Sequence, residues 1–347
     1  MRTPVTVAAV VDSSAGVALA RTIDEFPRAR LTWVCDRRPN EPLPRWTPRE
    51  ARRTARLQDV LEDETVDAVV AAPGIAERFE LARSCLGADK HVLIEGVVAE
   101  RAQDAERLFR RAVLHDRRLV AGHVSLSHPG TEHLRRLVGL GRLGELFYIR
   151  ATRNASPASG ADAVLWGAAA EEVARVLEIV SDEPVEVSAR GDSYLGGGFS
   201  DVVSCYLRFA TGITAQIDVS ALDPRPVRRV VAVGSARTAV LDELTPVPLA
   251  VYDAGDDVGE DSDERVPGRV GDVFAPRVGQ AHPRRTLCER FVLDVASSAD
   301  APARDVVTVV AVLEALERSL LAGAGASSDV RSTRPDLQVV AATAETS

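Results

Sequence analysis

Between Val5 and Val124 the chain alternates short apolar runs with helical patterns, and this alternation constrains the fold more than any other feature. Val5–Val11, Leu31–Cys35, Val66–Ala72, His91–Glu95 and Arg118–Val124 read as buried strands. Ala15–Ile23, Leu57–Glu62, Ala76–Leu86 and Glu100–His115 read as the helices between them. Ser13-Ser14 offers an N-cap for the first helix, and Pro73-Gly74 stops the third strand. Strands separated by helices need crossover connections rather than hairpins, which predicts a parallel, doubly wound α/β sheet.

Beyond this region the pattern changes. His128–Leu140 and Glu171–Ile179 read as helices on either side of a strand at Leu146–Thr152. Strands then follow one another at Val185–Gly191, Val202–Arg208, Thr214–Ser220, Arg229–Gly234 and Thr238–Asp242, joined by turns such as Ala210-Thr211-Gly212. Their alternation predicts a large, mostly antiparallel sheet with one exposed face. Gly255–Gly271, acidic and glycine-rich, reads as a mobile surface loop, and Arg284–Ser297 and Val306–Leu321 as amphipathic helices. The expected organisation is a parallel-sheet domain over 1–124, an α+β domain over 125–330, and a tail over 331–347 that begins after a Gly/Ala/Ser stretch.

Charge and cysteine usage exclude several classes. The formal net charge is −9, and the arginine pairs (Arg37-Arg38, Arg52-Arg53, Arg117-Arg118, Arg135-Arg136, Arg228-Arg229 and Arg284-Arg285) are scattered, as on solvated helix faces and loops. No basic block marks a nucleic-acid surface. Cys35, Cys85, Cys205 and Cys288 are far apart, form no CxxC pair and sit in apolar surroundings, so they read as reduced core residues with no metal site. No apolar run reaches the roughly 18 residues that a membrane span requires. No signal-peptide pattern opens the sequence, and a cytoplasmic location is expected.

The first strand–helix turn is where a Rossmann-like domain holds a dinucleotide pyrophosphate, through G-x-G-x-x-G followed by an acid on the second strand. Here that turn reads Val11-Asp12-Ser13-Ser14-Ala15-Gly16, with Asp36 at the acid position. Only the third glycine, Gly16, remains, and it could equally serve helix–strand packing. Val11 is β-branched, Ser13 puts a side chain where backbone should approach the ligand, and Asp12 adds a negative charge. The cofactor-contact candidates are Ser13, Gly16, Asp36, Arg37, Pro73 and Glu95, with Asp36 open to reading as a turn residue and Arg37-Arg38 as a solvated loop.

Over about Val5 to Leu321 the chain resembles the glucose–fructose oxidoreductase/inositol dehydrogenase (Gfo/Idh/MocA) family. The resemblance rests on Phe26–Asp36, Lys90–Glu95, Gly122-His123, Gly141–Glu145, Ser220–Pro224 and Val233–Ser235. It implies an NAD(H)- or NADP(H)-dependent reaction at a hydroxyl of a sugar, cyclitol or nucleotide sugar, and dimers or tetramers built through the large sheet. The functional positions depart from the family. Its E-K-P motif stands here as Glu95-Gly96-Val97, so the proton-transferring lysine is absent. Its D-x-x-x-H aligns with Gly167 and Glu171, and its S-T-H with Ile75-Ala76-Glu77. Both cofactor chemistry and its absence are therefore compatible with the resemblance.

Losses confined to the cleft, with the scaffold intact, favour repurposing over decay. Glu95, His123 and Glu171 are the candidate acid–base residues of a redeployed cleft, with His128, Arg153 and Glu172 as ligand contacts. His128 also reads as a helix cap, and Glu171-Glu172 as acids at a helix N-terminus. Two readings follow. One is a pseudo-oxidoreductase that pairs with itself or an active relative and holds a sugar-like ligand. The other is an enzyme, either a weak dinucleotide-dependent sugar or cyclitol dehydrogenase or a cofactor-free acid–base catalyst. Neither reading includes a nucleic acid, a membrane or a metal.

Overall fold

The computed structural model describes residues 4–38, 48, 50–155, 164–196, 199–254, 270–297 and 304–322. The chain forms two compact units, Met1–Ser127 with Ala281–Glu314, and His128–Gln280 with Ala315–Ser347.

The first unit contains β1 (Val5–Val10), α1 (Ser14–Asp24), β2 (Ala29–Cys35), β3 (Arg52–Thr54), α2 (Leu57–Leu61), β4 (Ala68–Ala71), α3 (Ile75–Gly87), β5 (His91–Glu95), α4 (Ala102–Leu114) and β6 (Leu119–Gly122). The strands pair in the order β3-β2-β1-β4-β5-β6, parallel throughout. Strand order reverses between β1 and β4, which is the point where doubly wound sheets open to ligands at their carboxyl ends. β1, β4 and β5 are almost continuously apolar because helices cover both sheet faces. As expected, Ser13 caps α1, its Oγ accepting the Gly16 N–H at 3.0 Å.

The second unit contains α5 (Pro129–Gly139), β7 (Leu146–Asn154), a π-helical turn (Val164–Ala169), α6 (Ala170–Val180), β8 (Pro184–Asp192), β9 (Val202–Phe209), β10 (Thr214–Ser220), β11 (Arg228–Gly234), β12 (Arg237–Asp242), β13 (Leu249–Ala254) and β14 (Val270–Phe274). Among the described residues its eight strands run β14-β13-β12-β11-β7-β10-β9-β8, antiparallel except for the β7–β10 pair. Ile149 and Ala151 of β7 and Ala215, Ile217 and Val219 of β10 are buried on one face, and Tyr148, Arg150 and Gln216 are exposed on the other.

Two further α-helices among the described residues are α7 (Pro283–Ser297) and α8 (Arg304–Leu321). The sequence division places α7 in the domain 125–330, whereas its contacts place it in the first unit. Leu287, Cys288, Phe291 and Val292 lie in the same apolar cluster as Val7, Leu19 and Leu93. Helical periodicity reveals an apolar face but not which sheet that face covers. A second difference concerns the expected loop Gly255–Gly271: residues 255–269 lie outside the described residues, while Val270 and Gly271 belong to β14 and pair with β13.

Candidate functional site

In the first unit, the carboxyl edge of the parallel sheet is where the resemblance places a cofactor, and here arginines tie its strand ends together. After β1 and β2, Arg37 grips Asp12. Its backbone N–H donates to Oδ1 at 2.9 Å, and its Nε donates to Oδ2 at 2.6 Å. The same guanidinium also meets Glu77 in the first turn of α3. Burial of Arg37 works against its charge, but the bonds and charges of Asp12 and Glu77 outweigh it and raise its pKa. Arg38 pairs with Asp36, its Nε at 3.1 Å from Oδ1. Arg37 and Arg38 are therefore not a solvated loop pair. Their side chains are only about a quarter exposed, because the carboxylates of Asp12, Asp36 and Glu77 converge on them.

Two more guanidiniums continue this line. Arg78 of α3 donates from Nε to the Pro73 carbonyl at 3.1 Å and from Nη1 to the Val97 carbonyl at 2.9 Å, joining the ends of β4 and β5. Gly96 lies beneath it with φ +90°, and a Cβ on Gly96 would come within 2.7 Å of Arg78 Nη1. Arg284 of α7 engages both oxygens of Glu95 at 2.8 Å. His123 is buried directly after β6, whose Gly122 is in register with Glu95. Ser13 Oγ, besides capping α1, donates to the Ala72 carbonyl at 2.6 Å and closes the turn against β4. Gly16 is held by packing, since a Cβ there would meet the Val10 carbonyl at 2.6 Å.

In the second unit, the structure brings His128, Arg153, Glu171 and Glu172 to one charged cluster. Arg153 of β7 donates from Nε to Glu172 Oε1 at 2.5 Å. Arg175, one turn along α6, lies 3.3 Å from Glu172 Oε2 and also meets Glu243. Glu172 and Arg175 are fully buried. Although burial opposes its charge, Arg153 has a raised pKa because Glu172, Glu171 and Glu243 surround it. His128 caps α5, its Nδ1 accepting the Gly130 N–H at 3.1 Å. Burial lowers its pKa, and Arg175, Arg153 and Arg228 act the same way against Glu243. Glu172 Oε2 and Arg175 Nε and Nη1 form no hydrogen bond with the described residues. Gly167, one of the two positions aligned with the family's D-x-x-x-H, falls within the π-helical turn, a feature frequent at functional sites.

Sequence reasoning missed Arg78, Arg284, Arg175 and Glu243. Glu172 and Arg175 stand at helical i,i+3 spacing, a legible signal. Arg284 and Glu95 lie 189 positions apart, and no local pattern joins them. Among the described residues there is no group of three or more His, Cys, Asp or Glu side chains able to hold a metal. No helix of the described residues is long and apolar enough to cross a membrane.

A parallel sheet in this order is a Rossmann-type fold, here followed by a large, mostly antiparallel sheet. Residues 13–123 match the family described as GFO_IDH_MocA, oxidoreductase family, NAD-binding Rossmann fold. Inositol 2-dehydrogenase 1 of Saccharopolyspora erythraea is 30% identical over 168 residues, 46% of this chain and 50% of that protein. The chain thus matches about half the length of this curated relative. Two solved structures share the fold. UDP-N-acetylglucosamine 3-dehydrogenase from Acidithiobacillus ferrooxidans has a TM-score of 0.75 at 20% identity, covering 91% of this chain and 97% of its own. GenD2 from gentamicin A biosynthesis, in complex with NAD, has a TM-score of 0.75 at 22% identity, covering 95% and 97%.

Proposed function

We propose that this chain is a pseudo-oxidoreductase: a family member that no longer transfers hydride and serves as an oligomeric partner or as the holder of a sugar-like ligand. The observation that carries the reading is the Arg78 guanidinium lying against Gly96, where the family resemblance calls for a lysine. A guanidinium is charged at every accessible pH and cannot take a proton from a hydroxyl. Loss of general acid–base catalysis is typically worth about 10²–10⁴-fold in rate. Glu95 does not replace it, because both its oxygens are engaged by Arg284.

The residues at the first turn do not fit a dinucleotide either. Ser13 closes the turn against Ala72, and Asp12 and Arg37 are bonded to each other rather than disposed toward a pyrophosphate. The relatives named for inositol and UDP-N-acetylglucosamine support a polyhydroxylated ligand class. The exposed sheet face supports a partner role, whether that partner is a second copy or an active relative. Tyr148, Val233, Thr238, Tyr252 and Val273 stand in register across five neighbouring strands on that face.

The test is turnover with myo-inositol, UDP-N-acetylglucosamine and a panel of free sugars, each with NAD⁺ and NADP⁺, alongside light scattering for the oligomer. The expected result is no dinucleotide reduction above the protein-free blank, in a protein larger than a monomer. Reduction that tracks the protein through purification contradicts the loss of hydride transfer, and a monomer with no companion contradicts the partner role.

A further inference from the structure

The pyrophosphate turn is filled by the protein's own charges rather than dismantled. Asp12 follows β1, Arg37 follows β2 and Glu77 opens the helix after β4, so the three side chains meet where strand order reverses. Asp12 is nearly buried, whereas Glu77 is more than half exposed, so one end of the clamp is firm and the other can exchange with solvent. The framework beneath remains that of a dinucleotide domain. Gly16 keeps its close approach to the Val10 carbonyl, and α1 keeps its capped start behind the turn. Arg37 carries a planar fork suited to a phosphate, and two carboxylates already occupy it.

We infer that the Asp12–Arg37–Glu77 clamp is an autoinhibitory contact: these two carboxylates hold the guanidinium that would otherwise meet a diphosphate, and removing them opens a site for a nucleoside diphosphate. This rests on the reading that the native chain holds no dinucleotide. Any phosphate entering beside Arg37 must displace Glu77 and then face the charge of Asp12 at short range. Ser13 narrows the turn but adds no charge. The clamp is therefore the larger part of the exclusion.

The experiment is calorimetric titration of ADP into the full chain, comparing wild type, Glu77→Gln, Asp12→Ser/Glu77→Gln, and that double variant with Arg37→Ala. Wild type is expected to show no saturable heat. The double variant should gain at least about tenfold in affinity, lose it again with Arg37→Ala, and weaken as salt rises. If neither wild type nor the double variant binds ADP, the clamp is not the barrier and the inference fails, while the pseudo-oxidoreductase reading stands. If wild type itself binds ADP, the inference and the reading that the native chain holds no dinucleotide both fail. If the double variant does not fold, the exposed Glu77→Gln change decides: ADP binding in it but not in wild type supports the clamp, and silence in both overturns it.

Discussion

Replacing Glu172 by Gln tests whether the charged cluster of the second unit belongs to the core of that unit. The substitution keeps the shape and removes one charge. Glu172 is fully buried, bonded to Arg153 and 3.3 Å from the Arg175 guanidinium. Without it, two guanidiniums, one of them fully buried, share Glu243 and the neighbouring charge of Glu171. Removing one partner of a buried ion pair typically costs about 3–5 kcal/mol, because the other charge is left uncompensated. A loss of about 3 kcal/mol corresponds to more than a hundredfold in the opening equilibrium. Hydrogen exchange read by mass spectrometry separates the two units. Amides of β7 and β10 should lose about a hundredfold or more in protection, while those of β4 and β5 stay unchanged. Unchanged protection in β7 and β10 would refute the reasoning and leave the cluster free to serve a ligand.

Three further outcomes are expected. His91 accepts the Arg118 N–H on Nδ1, and burial lowers its pKa from 6.5 to about 4. The unfolded chain therefore binds this proton first as pH falls, so stability is intact above pH 6.5 and lost between 6.5 and about 4. The ceiling is about 3 kcal/mol, reduced to about 2 by partial solvent access; in His91→Gln, urea midpoints that fall just as steeply over that interval would contradict this. The four thiols are buried and raised to about 12, so a thiolate-seeking reagent should label the native protein only as fast as it unfolds; rapid native labelling of any of them would contradict it. Ser13→Ala removes both the cap on Gly16 and the bond to Ala72, and should lower the unfolding free energy by about 1–2 kcal/mol, with a change under about 0.5 kcal/mol counting against that role.

The strand–helix alternation made the parallel sheet legible, because each element carries its own apolar period and each helix its own cap. β5 and β10 fall on the expected residues. Arg52–Thr54 escaped because three residues, two of them exposed, carry no apolar period. Val270–Phe274 escaped because it pairs across a glycine-rich acidic stretch that reads as loop. The erosion was visible in Val11 and Ser13 at the first turn and in Gly96 after β5. What filled the space was not. Arg78, Arg284 and the Glu77 end of the clamp act through tertiary contacts between distant strand ends, and an isolated arginine looks the same in sequence whether it is solvated or gripped. Asp12 illustrates the difference: as a lone acid it repels phosphate, and in the fold it holds Arg37 in place.

In the proposed reading the carboxyl edge of the parallel sheet satisfies its own charges and takes no nicotinamide dinucleotide. The most direct test of that reading is the thermal unfolding of the full chain with NAD⁺, NADH, NADP⁺ and NADPH, each at millimolar concentration. A ligand present at about 100 times its Kd stabilises the folded state by about 2.7 kcal/mol, which moves the unfolding midpoint visibly. No shift is expected with any of the four. A saturable shift with one of them would contradict the reading, and would mean that Gly16, Asp36 and a released Arg37 still suffice to hold the cofactor.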